Sequence, residues 1–176
     1  MHELLAVDHD LKLRQPERGD GAVLHELVAS CPPLDLNSRY AYLLLCEHHA
    51  RTSVIAEHDG VVVGAITAYV PPTQQDTLFV WQVAVATQAR GNKIGTRMLQ
   101  HLLQHCIAPR RLRWLETTIS PDNHASRGLF TQFARRHGAA CTIRALFSRT
   151  DFGESGHKEE YLYTIGPWDR AITLSR

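Results

Sequence analysis

Apolar and polar positions along the chain switch between a period of two and a period near 3.6, and the switches mark out the elements. Residues 12–15 form a short first strand. Asp20 stands where a helix N-cap belongs, ahead of Val23, Leu24, Leu27 and Val28, which repeat at helical spacing toward Ser30. Cys31-Pro32-Pro33 ends that helix, and Asn37-Ser38 begins a second one that runs to about Ala50. Residues 52–57 and 61–70 are strand-like runs joined by Asp59-Gly60, a two-residue hairpin signal. After Pro71-Pro72, residues 78–85 are almost continuously apolar, as a central buried strand should be. A helix is predicted over 93–106, with Ile94, Met98, Leu99, Leu102 and Cys106 on one side. Arg97, Gln100, His101, Gln104 and His105 fall on the other. A strand over 113–119, a turn at Ser120-Pro121-Asp122 and a helix over 123–137 follow, the helix carrying Leu129, Phe130 and Phe133 on one face. Strands over 141–147 and 160–165 close the pattern, with a Gly-, Ser- and charge-rich loop over 149–158 between them.

The order β-α-α-β-β-β-α-β-α-β-β predicts an α/β fold, a mixed central sheet flanked by helices on both faces. No repeat, linker or low-complexity tract interrupts it. Residues 1–176 therefore read as one domain, with a core over about 11–167 and a tail over 168–176.

Composition narrows the function by exclusion. A net charge of +1 over 176 residues sets up no field toward nucleic acid or a membrane surface. No apolar run approaches the ~20 residues of a membrane span. The opening MHELLAVDHD carries acids and no apolar stretch, so no secretory signal is expected and the expected compartment is the cytoplasm. Cys31, Cys46, Cys106 and Cys141 form no CxxC pair and are expected to be free, buried thiols. His101 and His105 stand four apart on a helix, a spacing that can chelate, but no glutamate completes an HExxH pattern. They read as a solvated pair, as do His48-His49, and no metal is expected. Arg110, Arg111 and Arg113, and separately Arg135 and Arg136, lack interleaved aromatics and read as solvated faces.

The stretch FVWQVAVATQARGNKIGTRMLQHLL, residues 79–103, carries the candidate chemistry. A strand ends in a basic, glycine-bearing turn that opens directly onto a helix. The first N–H groups of a helix have no partner within it and bear partial positive charge, so a turn placed before them can aim donors at an anion, usually phosphate. Arg90 and Lys93 add charge and Gly91 permits close approach. The turn is neither a GK[ST] phosphate loop nor GxGxxG, since its glycines are Gly91 and Gly95 only. The physical reading is a pyrophosphate cradle over residues 90–96.

That turn resembles the RGxGxG/A turn of the GNAT acetyltransferases, which cradles the pyrophosphate of acetyl-CoA. Arg90, Gly91 and Gly95 match, and Lys93 stands where the pattern has glycine. The hairpin over 54–70, the strand over 78–85 and the segment TTISPDNHASRGLF follow the same family order. Phe130 stands near the position where many members carry a tyrosine that protonates the leaving thiolate. PPLDLNSRYAYLLL, YVPPTQQDTLFVWQVAV, LETTISPDNHASRGLF and GHKEEYLYTIGP together resemble the L-2,4-diaminobutyrate acetyltransferases of ectoine biosynthesis, over nearly the whole of residues 13–167.

The resemblance implies a GNAT acyl-CoA N-acyltransferase fold and direct acetyl transfer from acetyl-CoA to the 4-amino group of L-2,4-diaminobutyrate, with no metal. It implies cofactor binding by Val83, Val85, Arg90, Gly91, Asn92, Lys93, Ile94, Gly95, Thr96 and Asn123. It implies an oxyanion donor from the backbone around Val83 and a substrate pocket built from Asp35, Tyr40, Trp81, His157 and Glu160. The candidate bases are Glu116 and Glu160. A homodimer is the family expectation. Two other readings stay open: an acetyltransferase for another amine, such as a polyamine or lysine, and a non-catalytic acyl-CoA-binding regulatory module.

Overall fold

The computed structural model describes residues 11–107 and 112–168. Arg110 and Arg111, and the expected tail from residue 169 onward, lie outside the described residues. The strands are β1 (Lys12–Arg14), β2 (Val54–His58), β3 (Val61–Tyr69), β4 (Thr77–Val85), β5 (Trp114–Ile119), β6 (Cys141–Phe147) and β7 (Glu160–Ile165). The helices are α1 (Gly21–Ala29), α2 (Arg39–His48), α3 (Ile94–Leu102) and α4 (His124–Arg136). Leu103–Ile107 continues α3 as a single wide turn, so the helical stretch runs about as far as expected.

The strands form one seven-stranded sheet in the order β1-β2-β3-β4-β5-β7-β6, with β4 at its centre. Only β4 and β5 run parallel; every other neighbour is antiparallel. Asp59 and Gly60 both take positive φ, 49° and 75°, which is the two-residue hairpin turn their sequence signalled. The sheet is covered on both faces. A Cβ on Gly64 would meet Ile94 and Met98 at 3.1 and 3.2 Å, so Gly64 and its β4 partner Val85 face α3. Gln82 lies on the opposite face, where its Oε1 accepts a hydrogen bond from Tyr42 of α2 at 3.1 Å.

Four local expectations are corrected. Val23 is 40% exposed, so the buried stripe of α1 is Leu24, Leu27 and Val28. Asp20 starts α1 without capping it, because Arg14 engages both its oxygens, at 2.7 and 2.9 Å. That guanidinium holds the Asp20 carboxyl below the usual carboxylate range. Cys141 is half-buried, while Cys31, Cys46 and Cys106 are buried. Trp168, expected to open the tail, is instead 6% exposed and packs edge-on against Phe133.

Candidate active site

β4 creates the site by departing from regularity twice. Its register with β3 skips one residue, since Gln82 pairs with Thr67 and Val80 pairs with Ala68. Trp81 is the extra residue of this bulge. Phe79 and Gln82, three residues apart, therefore face the same side of the sheet. On the other flank, pairing with β5 stops at Val80 and Thr117, although β4 continues to Val85 and β5 to Ile119. Beyond that point the two parallel strands part. Ala86 N–H donates to Val63 of β3, so by strand alternation the peptide groups of Val85 and Val83 point away from β3, into the gap. The Val85 carbonyl there accepts from Cys31 Sγ at 3.4 Å and from Arg90 Nε at 3.2 Å.

The gap opens into a cleft of about 640 Å³. Val83, Val85, Arg90, Gly91, Lys93, Ile94, Gly95, Thr96 and Asn123 all line it, nine of the ten residues expected to hold the cofactor. Asn92, the tenth, does not; its side-chain amide donates to the Ala89 carbonyl at 3.2 Å and ties the turn together. Gly91 has φ 85°, a conformation that glycine reaches without strain. Lys93 has φ 56° and ψ 21°, left-handed, which is why the resembled pattern has glycine there. Gly95 serves packing as well as approach, since a Cβ would stand 3.3 Å from Leu129 of α4. Asn123 caps α4, its Oδ1 accepting from the Ser126 N–H at 3.1 Å. The turn, the start of α4 and the segment at 31–34 thus surround an open gap with N–H donors and cations, and the residues present suit a pyrophosphate with a thioester arm running along β4.

A second group of residues stands on the sheet face turned toward α2. Gln82 Nε2 donates to the Asp35 carbonyl at 2.7 Å, pinning the α1–α2 loop to β4. The Asp35 side chain, 71% exposed, lies 2.7 Å from His157 Nε2. His157 Nδ1 lies 2.6 Å from the Lys158 carbonyl. A carboxylate and a carbonyl only accept, so both ring nitrogens donate and His157 is an imidazolium in this arrangement. Its pKa is raised accordingly, by the Lys158 carbonyl first and then by Asp35 and Glu160. Its ring stacks on Phe152 with centroids 4.0 Å apart, which suits a cation.

Glu160, at the start of β7, is half-buried, and its carboxyl is raised chiefly by that burial. His157 and a hydrogen bond from Thr118 hold it down, while Asp35 and Asp122 push it up. Asp122 lines the cofactor cleft and pairs with Lys158, so the loop before β7 is tied to the cleft wall.

The structure thus brings together Asp35, His157 and Glu160. Glu116 lies on the paired half of β5, and its Oε1 accepts from Thr164 at 2.8 Å. Tyr40 is 68% exposed on the first turn of α2. Trp81 is 38% exposed at the bulge. Sequence reasoning missed Gln82, which fixes Asp35, and Phe152, which supports His157. It also missed Cys31, whose thiol bonds the strand the cofactor would follow. The glutamine inside an apolar strand was the one signal that pointed to any of these, because a buried amide needs partners.

His101 and His105 stack with centroids 4.1 Å apart, and among the described residues no group of three or more His, Cys, Asp or Glu side chains is placed to hold a metal ion. No described helix is long and apolar enough to cross a membrane.

Known proteins share this arrangement. Residues 22–134 match the model of the Acetyltransferase (GNAT) family. An L-2,4-diaminobutyric acid acetyltransferase from Bordetella parapertussis is 53% identical over 159 residues, 89% of this chain and 84% of that protein. Its counterpart from Streptomyces coelicolor is 44% identical, covering 93% of this chain and 97% of its own. Diaminobutyrate acetyltransferase EctA from Paenibacillus lautus, solved with L-2,4-diaminobutyric acid and coenzyme A, superposes with a TM-score of 0.88 at 39% identity over 93% of this chain and 98% of that one. The ribosomal-protein-S18-alanine N-acetyltransferase of Escherichia coli, at 15% identity and a TM-score of 0.71, shares the fold. The splayed strands, the cradle turn and these matches agree: the chain belongs to the GNAT acetyltransferase family, among its diaminobutyrate acetyltransferases.

Proposed function

We propose that the protein transfers the acetyl group of acetyl-CoA to the 4-amino group of L-2,4-diaminobutyrate, giving N4-acetyl-L-2,4-diaminobutyrate and CoA in ectoine biosynthesis. The observation that carries this reading is the meeting of two oppositely charged regions. A cleft rimmed by Arg90 and Lys93 suits an anionic acyl donor, and beside it Asp35 and Glu160 suit a small dication. The related protein from Paenibacillus lautus was solved with L-2,4-diaminobutyric acid and coenzyme A together.

The acceptor begins as an ammonium with a pKa of about 10, so about one molecule in a thousand has a free lone pair at neutral pH. Glu160 is the base in this reading. Burial lifts its carboxyl toward the working pH, where accepting a proton is most effective. Glu116 is the weaker candidate, since it lies on the paired half of β5, before the point where the strands part. The amine lone pair attacks the thioester carbonyl, the C–N bond forms, and the oxygen takes up negative charge. The Val83 N–H, turned into the gap, stabilises that charge by about 3 kcal/mol. The C–S bond then breaks and CoA leaves as a thiolate. Phe130 is 1% exposed and has no hydroxyl, so the proton that neutralises the thiolate comes from water or from the nitrogen just acylated.

Asp35, held by Gln82 and His157, pairs with the substrate's other ammonium and decides which amine reaches the thioester. The same reading takes residues 11–167 as one catalytic domain working in the cytoplasm, where acetyl-CoA is supplied. It takes the assembly as a homodimer, supported by the exposed apolar side chains Leu36, Tyr40, Leu43 and Leu44.

CoA release should be measured with diaminobutyrate, ornithine, lysine, spermidine and a lysine-rich peptide. Turnover with diaminobutyrate far above the rest is expected. Preference for another amine would overturn the substrate, and acetyl-CoA binding without turnover on any of them would overturn the enzyme.

A further inference from the structure

Gln82 is the only amide side chain in β4, and it is 7% exposed in an otherwise apolar strand. A leucine would fill that place without the desolvation cost of a buried amide. Both ends of the amide are spent, and in one direction. The Asp35 backbone carbonyl can only accept, so Nε2 faces it, at 2.7 Å. Oε1 is thereby turned to the Tyr42 hydroxyl, which donates at 3.1 Å. The Tyr42 oxygen keeps a lone pair and accepts the Asn37 N–H at 3.4 Å. Thr67, opposite Gln82 on β3, shares its face of the sheet, and its buried hydroxyl has no hydrogen-bond partner among the described residues. The amide reaches past its cross-strand neighbour to the loop.

The loop between α1 and α2 is thus fastened to β4 at both ends. Cys31, at its start, bonds the Val85 carbonyl. Asp35 and Asn37, near its end, are held through Gln82 and the fully buried Tyr42. Tyr42 belongs to α2, whose N-cap Ser38 accepts from the Ala41 N–H at 3.2 Å, so the start of that helix is fixed as well. β4 is also the strand that runs along the cofactor cleft, through Val83 and Val85. One strand therefore places both the carboxylate that meets the acceptor's ammonium and the N–H groups that meet the thioester in the proposed reaction. A fully satisfied buried network is rigid, and a rigid span between two such points suits one length of diamine.

We infer that Gln82 and Tyr42 are positioning residues that set this span, and with it the preference for L-2,4-diaminobutyrate over ornithine, its homologue longer by one methylene. Both act through the backbone at residues 35–37 rather than on the reacting atoms. The inference rests on the diaminobutyrate reading and deepens it. A fitted apolar pocket discriminates one methylene by about 10- to 200-fold. Here a fixed polar span takes the part of the pocket wall.

Steady-state kinetics with diaminobutyrate and with ornithine, at saturating acetyl-CoA, tests it through the ratio of the two kcat/KM values. The unaltered protein should favour diaminobutyrate by about tenfold or more. Tyr42→Phe removes one neutral hydrogen bond and should lower the ratio by about fivefold. Gln82→Met removes the link to both partners and should bring the ratio close to one. In both variants the loss should fall on diaminobutyrate, ornithine should hold or gain, and the KM for acetyl-CoA should stay unchanged. Phe133→Leu, a core change in α4 on the other face of the sheet, controls for lost stability. It should lower the melting temperature, scale both amines alike and keep the ratio. If Gln82→Met does not fold, Tyr42→Phe carries the test. An unchanged ratio in Tyr42→Phe, equal loss on both amines, or a KM for acetyl-CoA raised as far as that for diaminobutyrate would each overturn the proposal alone. An unaltered protein that does not separate the two amines would overturn the diaminobutyrate reading, and this proposal with it.

Discussion

The cofactor turn and the Asp35–His157–Glu160 cluster are built from different materials. The turn is consecutive backbone, seven residues whose N–H groups and positive-φ positions are the proposed means of binding. The cluster is assembled from side chains 122 residues apart in the chain, Asp35 and His157, joined only when two loops meet over β4. The difference predicts how each responds to substitution. A backbone site resists loss of any one side chain but not a change of backbone conformation. A side-chain site can lose its chemistry with one atom while the fold stays intact.

The largest expected effect falls on the cluster. Glu160→Gln keeps the shape and removes the base, so kcat should fall by about 10²-fold or more with the KM for acetyl-CoA unchanged. Steady-state kinetics checks this, and an unchanged kcat would move the base elsewhere. Asp35→Asn should come next, raising the KM for diaminobutyrate by about 10- to 100-fold, the range for a hydrogen bond to a charged group. If the KM for acetyl-CoA rose as much, the two regions would not be separable.

The turn should answer through stability. Gly91→Ala places a side chain at φ 85° and should destabilise the fold by about 1–2 kcal/mol, read from denaturant unfolding. Lys93→Gly relieves left-handed strain but frees the unfolded chain, so its net effect should stay within about 1 kcal/mol. Loss greater than for Gly91→Ala would contradict the backbone description.

The smallest effect should be one of pH. His157 has a raised folded-state pKa. Its contribution to stability is fully present below the ordinary histidine value and is lost as pH rises through the raised one. The melting-temperature difference between the protein and His157→Gln should therefore be present in mild acid and vanish in mild alkali. A difference constant with pH would mean that Phe152 stacking, not charge, holds the loop.

Legibility followed the same division. The order of elements, the hairpin at Asp59-Gly60 and the turn over residues 90–96, which lines the cleft, were readable because each is local in sequence. Val23 went wrong because helical spacing says which residues share a face, not how far the neighbouring element extends over it. Asp20 went wrong because Arg14, across a turn, outbids the helix for its carboxylate. The pairing of Asp35 with His157 was not read, since no spacing rule connects two loops so far apart; the resemblance suggested only that both residues belong to a substrate pocket. The bulge at Trp81 left no local mark, because one residue more or less in an apolar run looks the same until its neighbours are known.

The Lys158–Asp122 ion pair has a consequence for how the two substrates meet. Asp122 lines the cleft proposed for the donor, and Lys158 follows the histidine that holds Asp35. If the proposed sites hold, a ligand that orders either side would also order the shared tether, and donor and acceptor would be thermodynamically linked. By reciprocity, whatever factor acetyl-CoA adds to the affinity for the amine, the amine must return to acetyl-CoA. Two sites made so differently would then act as one equilibrium.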